Sequence, residues 1–330
     1  KKKNKISAIF AKHTENSREI SLKAPLFADC TGDANLGYLA GALFQMGREA
    51  KSQYNESLAP ESADDMTLGA SVQWYSEKQD AETFFPNFQY GLIFNESNSE
   101  KVTMGEWTWE TGMNMDQISE AEKIRDYGML VIFSNWSYLK NEHPQNNYKN
   151  LSLAWVAYVA GKRESRRLIG DHILTENDIV NFTLYPDASA PTTWSIDLHY
   201  PDPKNSIHFK DTEFKSIAVH KNIHPYPIPY RCLYSTNIDN LFMAGRNISV
   251  THVALGTTRV MRTCGIMGEV VGMAASLCKK HKVVPRGIYE AHLEELKALM
   301  EKGVGNSELL NNQTYNLGGT LGEHPSILER

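Results

Sequence analysis

Leu241-Phe242-Met243-Ala244-Gly245-Arg246, followed by Thr257-Thr258-Arg259-Val260-Met261-Arg262-Thr263-Cys264-Gly265-Ile266-Met267-Gly268, is the stretch whose reading decides the fold. An apolar run closed by glycine predicts a short buried strand that enters a turn. Over 264–281, Gly265, Gly268 and Gly272 recur every three or four residues and clear one face of a helix. Each helical glycine costs about 1 kcal/mol relative to alanine, so a bare face implies close approach to something. Spacing alone leaves open whether that is a ligand or a packed neighbour. A helix opening near Thr263 would also aim first-turn amides and a positive dipole end at whatever precedes it.

The beginning of the chain has the same texture. Segments 6–11 and 18–23 alternate around a Thr14-Glu15-Asn16 turn and predict a hairpin. Ala24-Pro25-Leu26-Phe27-Ala28-Asp29 then reads as a buried strand ending at Cys30-Thr31-Gly32-Asp33, and 34–47 as a helix closed by Gly47. Open α/β sheets bind ligands at such carboxyl ends, and Gly32 would allow backbone to approach a phosphate or ribose. Asp33 as a plain helix N-cap is the competing reading.

Between 48 and 227 the texture changes, and all six tryptophans fall there. Helices are expected at 116–140 and 151–161, and a capping box at Thr175-Glu176-Asn177-Asp178. Arg163-Glu164-Ser165-Arg166-Arg167 offers guanidinium groups suited to a carboxylate, or a structural ion-pair lattice. In Ser195-Ile196-Asp197-Leu198-His199, Asp197 and His199 share one strand face. His199 is either an acid/base group or a satisfied structural histidine. A last amphipathic helix is expected over 286–302, and 301–330 reads as a loop-rich tail.

Bulk composition narrows the function classes. The 330 residues are 41% hydrophobic and 22% charged with net charge −5, as in a soluble globular protein with no field for nucleic acid. No apolar run approaches the roughly 18 residues of a membrane span. Four separated cysteines and eleven scattered histidines form no C-x-x-C or H-E-x-x-H spacing, so no metal site is expected. Cysteine usage fits a reducing compartment such as the cytoplasm.

Taken in order, ADCTGDANLGYLAGALFQMGRE, GKRESRRLIGDHILTENDI, WSIDLHYPDP and YPIPYRCLYSTNIDNLFMAGRNISVTHVALGTTRVMRTCGIMGEVVGMAAS resemble one family across roughly residues 6–300. That family is the FAD-dependent oxidoreductases of glutathione-reductase-type fold, in a bacterial branch some of whose members are labelled xanthan or polysaccharide lyases. The resemblance implies an α/β fold: an incomplete Rossmann-like FAD-binding domain (1–47 and 228–300) with an inserted mixed α+β cap or substrate domain (48–227). It implies FAD as cofactor and hydride transfer with a small-molecule substrate. Thr31, Gly32 and Asp33 would lie near phosphate and ribose, Gly245 and Arg246 along the ribityl chain. Gly265, Ile266, Met267 and Gly268 would present amides to the pyrimidine edge, with His252 and Arg259 bordering the ring. Arg166 or Arg167 would anchor a substrate anion, and His199 or His252 would move a proton.

The family opens with a G-x-G-x-x-G turn that binds the ADP half, and nothing here matches it; Gly303-Val304-Gly305 has Glu308 in the third glycine's place. The chain therefore reads as a C-terminal part, expected to bind FAD weakly by itself and to pair with the missing segment or with another copy. The rivals to an oxidoreductase are a polysaccharide lyase, suggested by the label and the Trp- and Tyr-rich middle, and a non-catalytic ligand-binding protein.

Overall fold

A computed structural model describes residues 4–303 except Glu106 and Asn146. The tail expected over 301–330, with its Gly303-Val304-Gly305, lies outside the described residues from 304 onward. Contacts divide the chain into two compact units. One comprises Lys1–Asp64, Arg166–Asp197 and His220–Arg330, the other Asp65–Ser165 and Leu198–Val219. The division runs through the 48–227 segment, because 166–197 packs with the first unit.

In the first unit, strands Phe27–Asp29 and Leu241–Met243 run parallel, with Phe27 opposite Leu241 and Asp29 opposite Met243. Both are short apolar segments, and Leu241, Phe242 and Met243 are all buried. After the first strand the chain folds around the buried Asp29 carboxylate, which accepts from the amides of Thr31 (3.0 Å) and Gly37 (2.8 Å). Thr31 Oγ1 in turn accepts from the Asn35 amide. Those bonds open the helix Asn35–Ala40, whose N-cap is Ala34, not Asp33. The helix expected to reach Gly47 stops at Gly41, whose φ of 80° and two amide bonds terminate it. Phe44–Gln45 then pairs antiparallel with Arg167–Leu168.

Helix Met261–His281 buries Met267, Val270, Val271, Ala274, Leu277 and Cys278, the spacing of one helix face. It starts three residues earlier than expected. The segment before it holds the helix His252–Thr258, capped by Thr251 accepting from the Ala254 amide. The helix expected over 286–302 is broken at His292 into Pro285–Ala291 and Leu293–Lys302. The hairpin forms from Ile9–Lys12 and Glu19–Leu22.

The capping box also forms: Thr175 accepts from the Asp178 amide, and Asp178 accepts from the Thr175 amide. Burial pushes the Asp178 carboxyl up, but bonds from His172, Tyr185 and Thr175 outweigh it and bring it from 3.8 to about 2. A folded value below the unfolded one gives stabilisation that is intact above about pH 4 and lost as pH falls toward about 2. Asp178→Asn should therefore flatten stability between those limits, read as denaturant midpoints at successive pH values. Unchanged acid sensitivity in the variant would remove Asp178 as the cause.

In the second unit, Trp74–Lys78 lies between Met104–Gly105 and Leu151–Val156. The helix expected over 151–161 is thus a strand at 151–156. Leu-Ser-Leu-Ala-Trp-Val is too short an apolar run to show its period, and pairing with Trp74–Lys78 decides it. The long helix runs Ala121–Asn141, five residues later than expected, because Asp116 accepts from the Ile118 and Ser119 amides and makes a turn there. Its Trp136 meets Trp74 edge-on at 5.6 Å, and Trp74 meets Trp109 likewise at 5.6 Å. The tryptophans that mark this stretch are in good part its core.

Candidate functional site

The strongest constellation in the first unit stands just past the two parallel strands. Gly32 and Gly245 both have left-handed backbone, φ 72° and 116°, which glycine adopts without strain. A Cβ on Gly32 would fall on the Arg246 guanidinium, so that glycine makes room for the arginine. Arg246 donates to Asp33 at 2.8 Å, so Asp33 is the arginine's partner and not the N-cap of its competing reading. Arg246 Nε, Asn247 Oδ1 and Thr258 Oγ1 are buried without a hydrogen-bond partner. Orphaned buried polar atoms are costly, and a polyol or phosphate ligand is the chemistry that satisfies such a donor and acceptor set. Thr31, by contrast, is already bonded to Asp29 and to the Asn35 amide.

Gly265 and Gly268 are exposed, and a Cβ on Gly265, Gly268 or Gly272 would meet nothing within 4 Å. Packing among the described residues therefore does not explain them. Val260 is the N-cap, so the first-turn amides belong to Met261, Arg262 and Thr263. Gly265 through Gly268 sit one turn further in, and the Met267 side chain is in the core.

The arginine run separates into different roles. Arg167 is 1% exposed and donates to Glu49 (2.6 Å), the Gly47 carbonyl (2.8 Å) and the Val250 carbonyl (3.1 Å). Its guanidinium ties three segments together, which corrects its reading as an anion anchor. Arg166 is half-buried, with its guanidinium 3.8 Å from the Tyr38 ring centroid and 5.8 Å from that of Phe44. Arg259 donates to the Asp197 carboxylate at 3.0 Å and the Asp197 carbonyl at 3.1 Å. His252 is buried as the first residue of its helix, and its amide donates to Glu49 Oε2 at 2.8 Å.

The sequence reading missed two acids of the first unit. Glu49 serves both Arg167 and the His252 amide. Glu56 is fully buried and accepts from the Glu176 amide (2.7 Å) and Thr251 (2.6 Å). Burial, only partly offset by those two bonds, pushes its carboxyl up. Neither acid stands in a motif, and only the fold brings their partners in from 118 to 203 residues away.

His199 lies in the second unit, buried, with Nδ1 2.7 Å from Glu110 Oε2 and 3.3 Å from Ser216 Oγ. Glu110 also accepts from Ser216 (2.8 Å) and the Gly69 amide (2.6 Å), and Arg163 Nη1 lies 3.6 Å away. Burial pushes the Glu110 carboxyl up, but His199, Arg163 and Ser216 outweigh it and hold it below the usual range. Asp197, two residues before His199, engages Arg259 and lies 3.5 Å from His220. The shared strand thus feeds two different clusters. The same unit has an open pocket of about 330 Å³, whose lining includes Phe85, Phe133, Trp136, Leu153 and Trp155.

Among the described residues no single helix is long and apolar enough to cross a membrane. No curated protein and no solved structure matches the chain. The family described as FAD dependent oxidoreductase matches residues 1–300, nearly the whole chain. FAD is the cofactor this implies, and the glycine turns with the orphaned Arg246 Nε and Asn247 Oδ1 are of a chemistry that fits it. Two parallel strands ending in glycine turns, an arginine seated over one of them, and a match of this extent agree: the chain belongs to the FAD dependent oxidoreductase family.

Proposed function

We propose that the chain oxidises or reduces a small molecule by hydride transfer, with FAD held where Phe27–Asp29 and Leu241–Met243 end. FAD, when bound, supplies the hydride acceptor or donor. The observation that carries this reading is Arg246, seated over Gly32, paired with Asp33 and holding a buried, unpartnered Nε. A guanidinium so placed suits a phosphate oxygen, and Asp33 fixes its orientation. Asn247 and Thr258 add acceptor and hydroxyl groups suited to a polyol chain. Gly245 keeps the neighbouring backbone open to close approach. The exposed face of Gly265 and Gly268 leaves room for a flat ring. Arg166 is the guanidinium proposed to anchor a substrate anion.

His199 and His252 are the proposed acid/base groups. Nδ1 of His199 is bonded to Glu110, which would orient the imidazole for proton exchange. Glu110 would set the tautomer and favour the imidazolium when it forms.

FAD titrated into the purified protein, followed by flavin absorbance and fluorescence, tests the assignment. Removing one charge-assisted contact with Arg246→Ala should weaken binding by about 10- to 100-fold. Equal affinity in wild type and variant would place the flavin elsewhere.

A further inference from the structure

The sequence offers no histidine spacing that signals a metal, yet the fold gathers three ligand types at one corner of the first unit. His281 ends the helix Met261–His281, His292 stands at the break between Pro285–Ala291 and Leu293–Lys302, and Glu295 lies in the first turn of the last helix. The break at His292 is what folds the last helix back and brings its first turn to His281. His281 Nε2 is 2.8 Å from Glu295 Oε1, His292 Nδ1 is 3.8 Å from the same oxygen, and all three ligand atoms lie within 4.8 Å of one another.

A tetrahedral ion with ligands at about 2.0–2.1 Å needs neighbouring ligand atoms about 3.3–3.4 Å apart, and the observed spacings straddle that value. His281 Nε2 is also buried and has no aligned hydrogen-bond partner, although the carboxylate oxygen is so near. The second carboxylate oxygen, Oε2, accepts from Lys280 at 2.6 Å, which orients the group and leaves Oε1 toward the histidines. An outer hydrogen bond of this kind is how ligating carboxylates are held.

The two imidazoles stack with centroids 3.8 Å apart and planes 11° apart. Parallel rings cannot both direct a lone pair at one ion, so one must turn out of the stack. Both side chains are 22% exposed, which leaves space for that turn and for water as a fourth ligand. We propose that His281, His292 and Glu295 bind a zinc ion that clamps the last helix to the end of Met261–His281. Two imidazole nitrogens and one carboxylate oxygen suit zinc and do not suit magnesium or calcium, which prefer oxygen ligands.

The test uses tag-free, chelator-treated protein titrated with zinc chloride by calorimetry, with magnesium chloride in parallel. One equivalent of zinc should bind, magnesium should not, and Tm should rise by about 5–10 °C at a hundredfold excess over Kd. His292→Ala and the more exposed Glu295→Gln should each abolish the Tm shift while leaving flavin binding unchanged. Should His292→Ala fail to fold, Glu295→Gln alone decides. No heat of binding, or a shift that survives in Glu295→Gln, would overturn the site.

Discussion

Arg167→Ala is expected to lower the unfolding free energy by about 3–5 kcal/mol, the range for breaking a buried ion pair by removing one partner. Arg167 is almost wholly buried and donates to Glu49, Gly47 and Val250. Alanine would leave the Glu49 carboxylate buried with only the His252 amide among its described donors. Two backbone carbonyls would lose a donor as well, and the guanidinium volume would become a cavity. Arg167→Met keeps the volume, so comparing it with alanine separates lost charge from lost packing. Arg167→Met combined with Glu49→Gln should cost less than the sum of the single changes, because neither charge is then left alone. Urea midpoints at neutral pH read all of these. An alanine variant within about 1 kcal/mol of wild type would show that the ion pair carries no such load.

The contrast between Arg167 and Arg246 shows what could be read from the chain and what could not. Arg246 follows an apolar strand and a glycine, a local signature, and that strand and turn form as read. The Thr175 capping box is equally local and forms as read. Arg167 stands in an arginine run, and its partner Glu49 lies 118 residues away, so no spacing rule could separate tie from anchor. Glu110 is 89 residues from His199, and their pairing is illegible in the sequence for the same reason. The errors in secondary structure have a different origin. Gly41 and Gly47 both take left-handed backbone, φ 80° and 82°, and either could have ended the helix after Thr31-Gly32-Asp33. The 151–156 strand was misread because its pairing, not its pattern, determines it. The zinc corner depends on one backbone residue, His292 at φ −133°, that breaks a helix the pattern runs straight through.

Glu110→Gln is expected to destabilise the second unit by several kcal/mol at neutral pH, since it neutralises one member of a buried charged cluster. The carboxylate accepts from Gly69, Ser216 and His199, with Arg163 beside it. Glutamine keeps one carbonyl oxygen but turns the other position into a donor facing other donors. It also leaves the Arg163 charge without the Glu110 carboxylate. The pH dependence has a definite sign. Because Glu110 is held below its ordinary value when folded, its contribution is present above the unfolded carboxylate pKa and fades as pH falls through the folded one. The gap between wild type and Glu110→Gln should therefore narrow in acid. His199→Gln probes the other half of the pair. If Glu110 acts through His199, the double variant should be no worse in turnover than His199→Gln alone, which should lose about 10²-fold or more. A purely structural pair would instead show coupled stabilities and an unchanged rate in His199→Gln. The two readouts are separable, because urea midpoints report the cluster whether or not the imidazole ever exchanges a proton with substrate. A Glu110→Gln variant as stable as wild type at neutral pH would remove the argument that this carboxylate organises the unit at all.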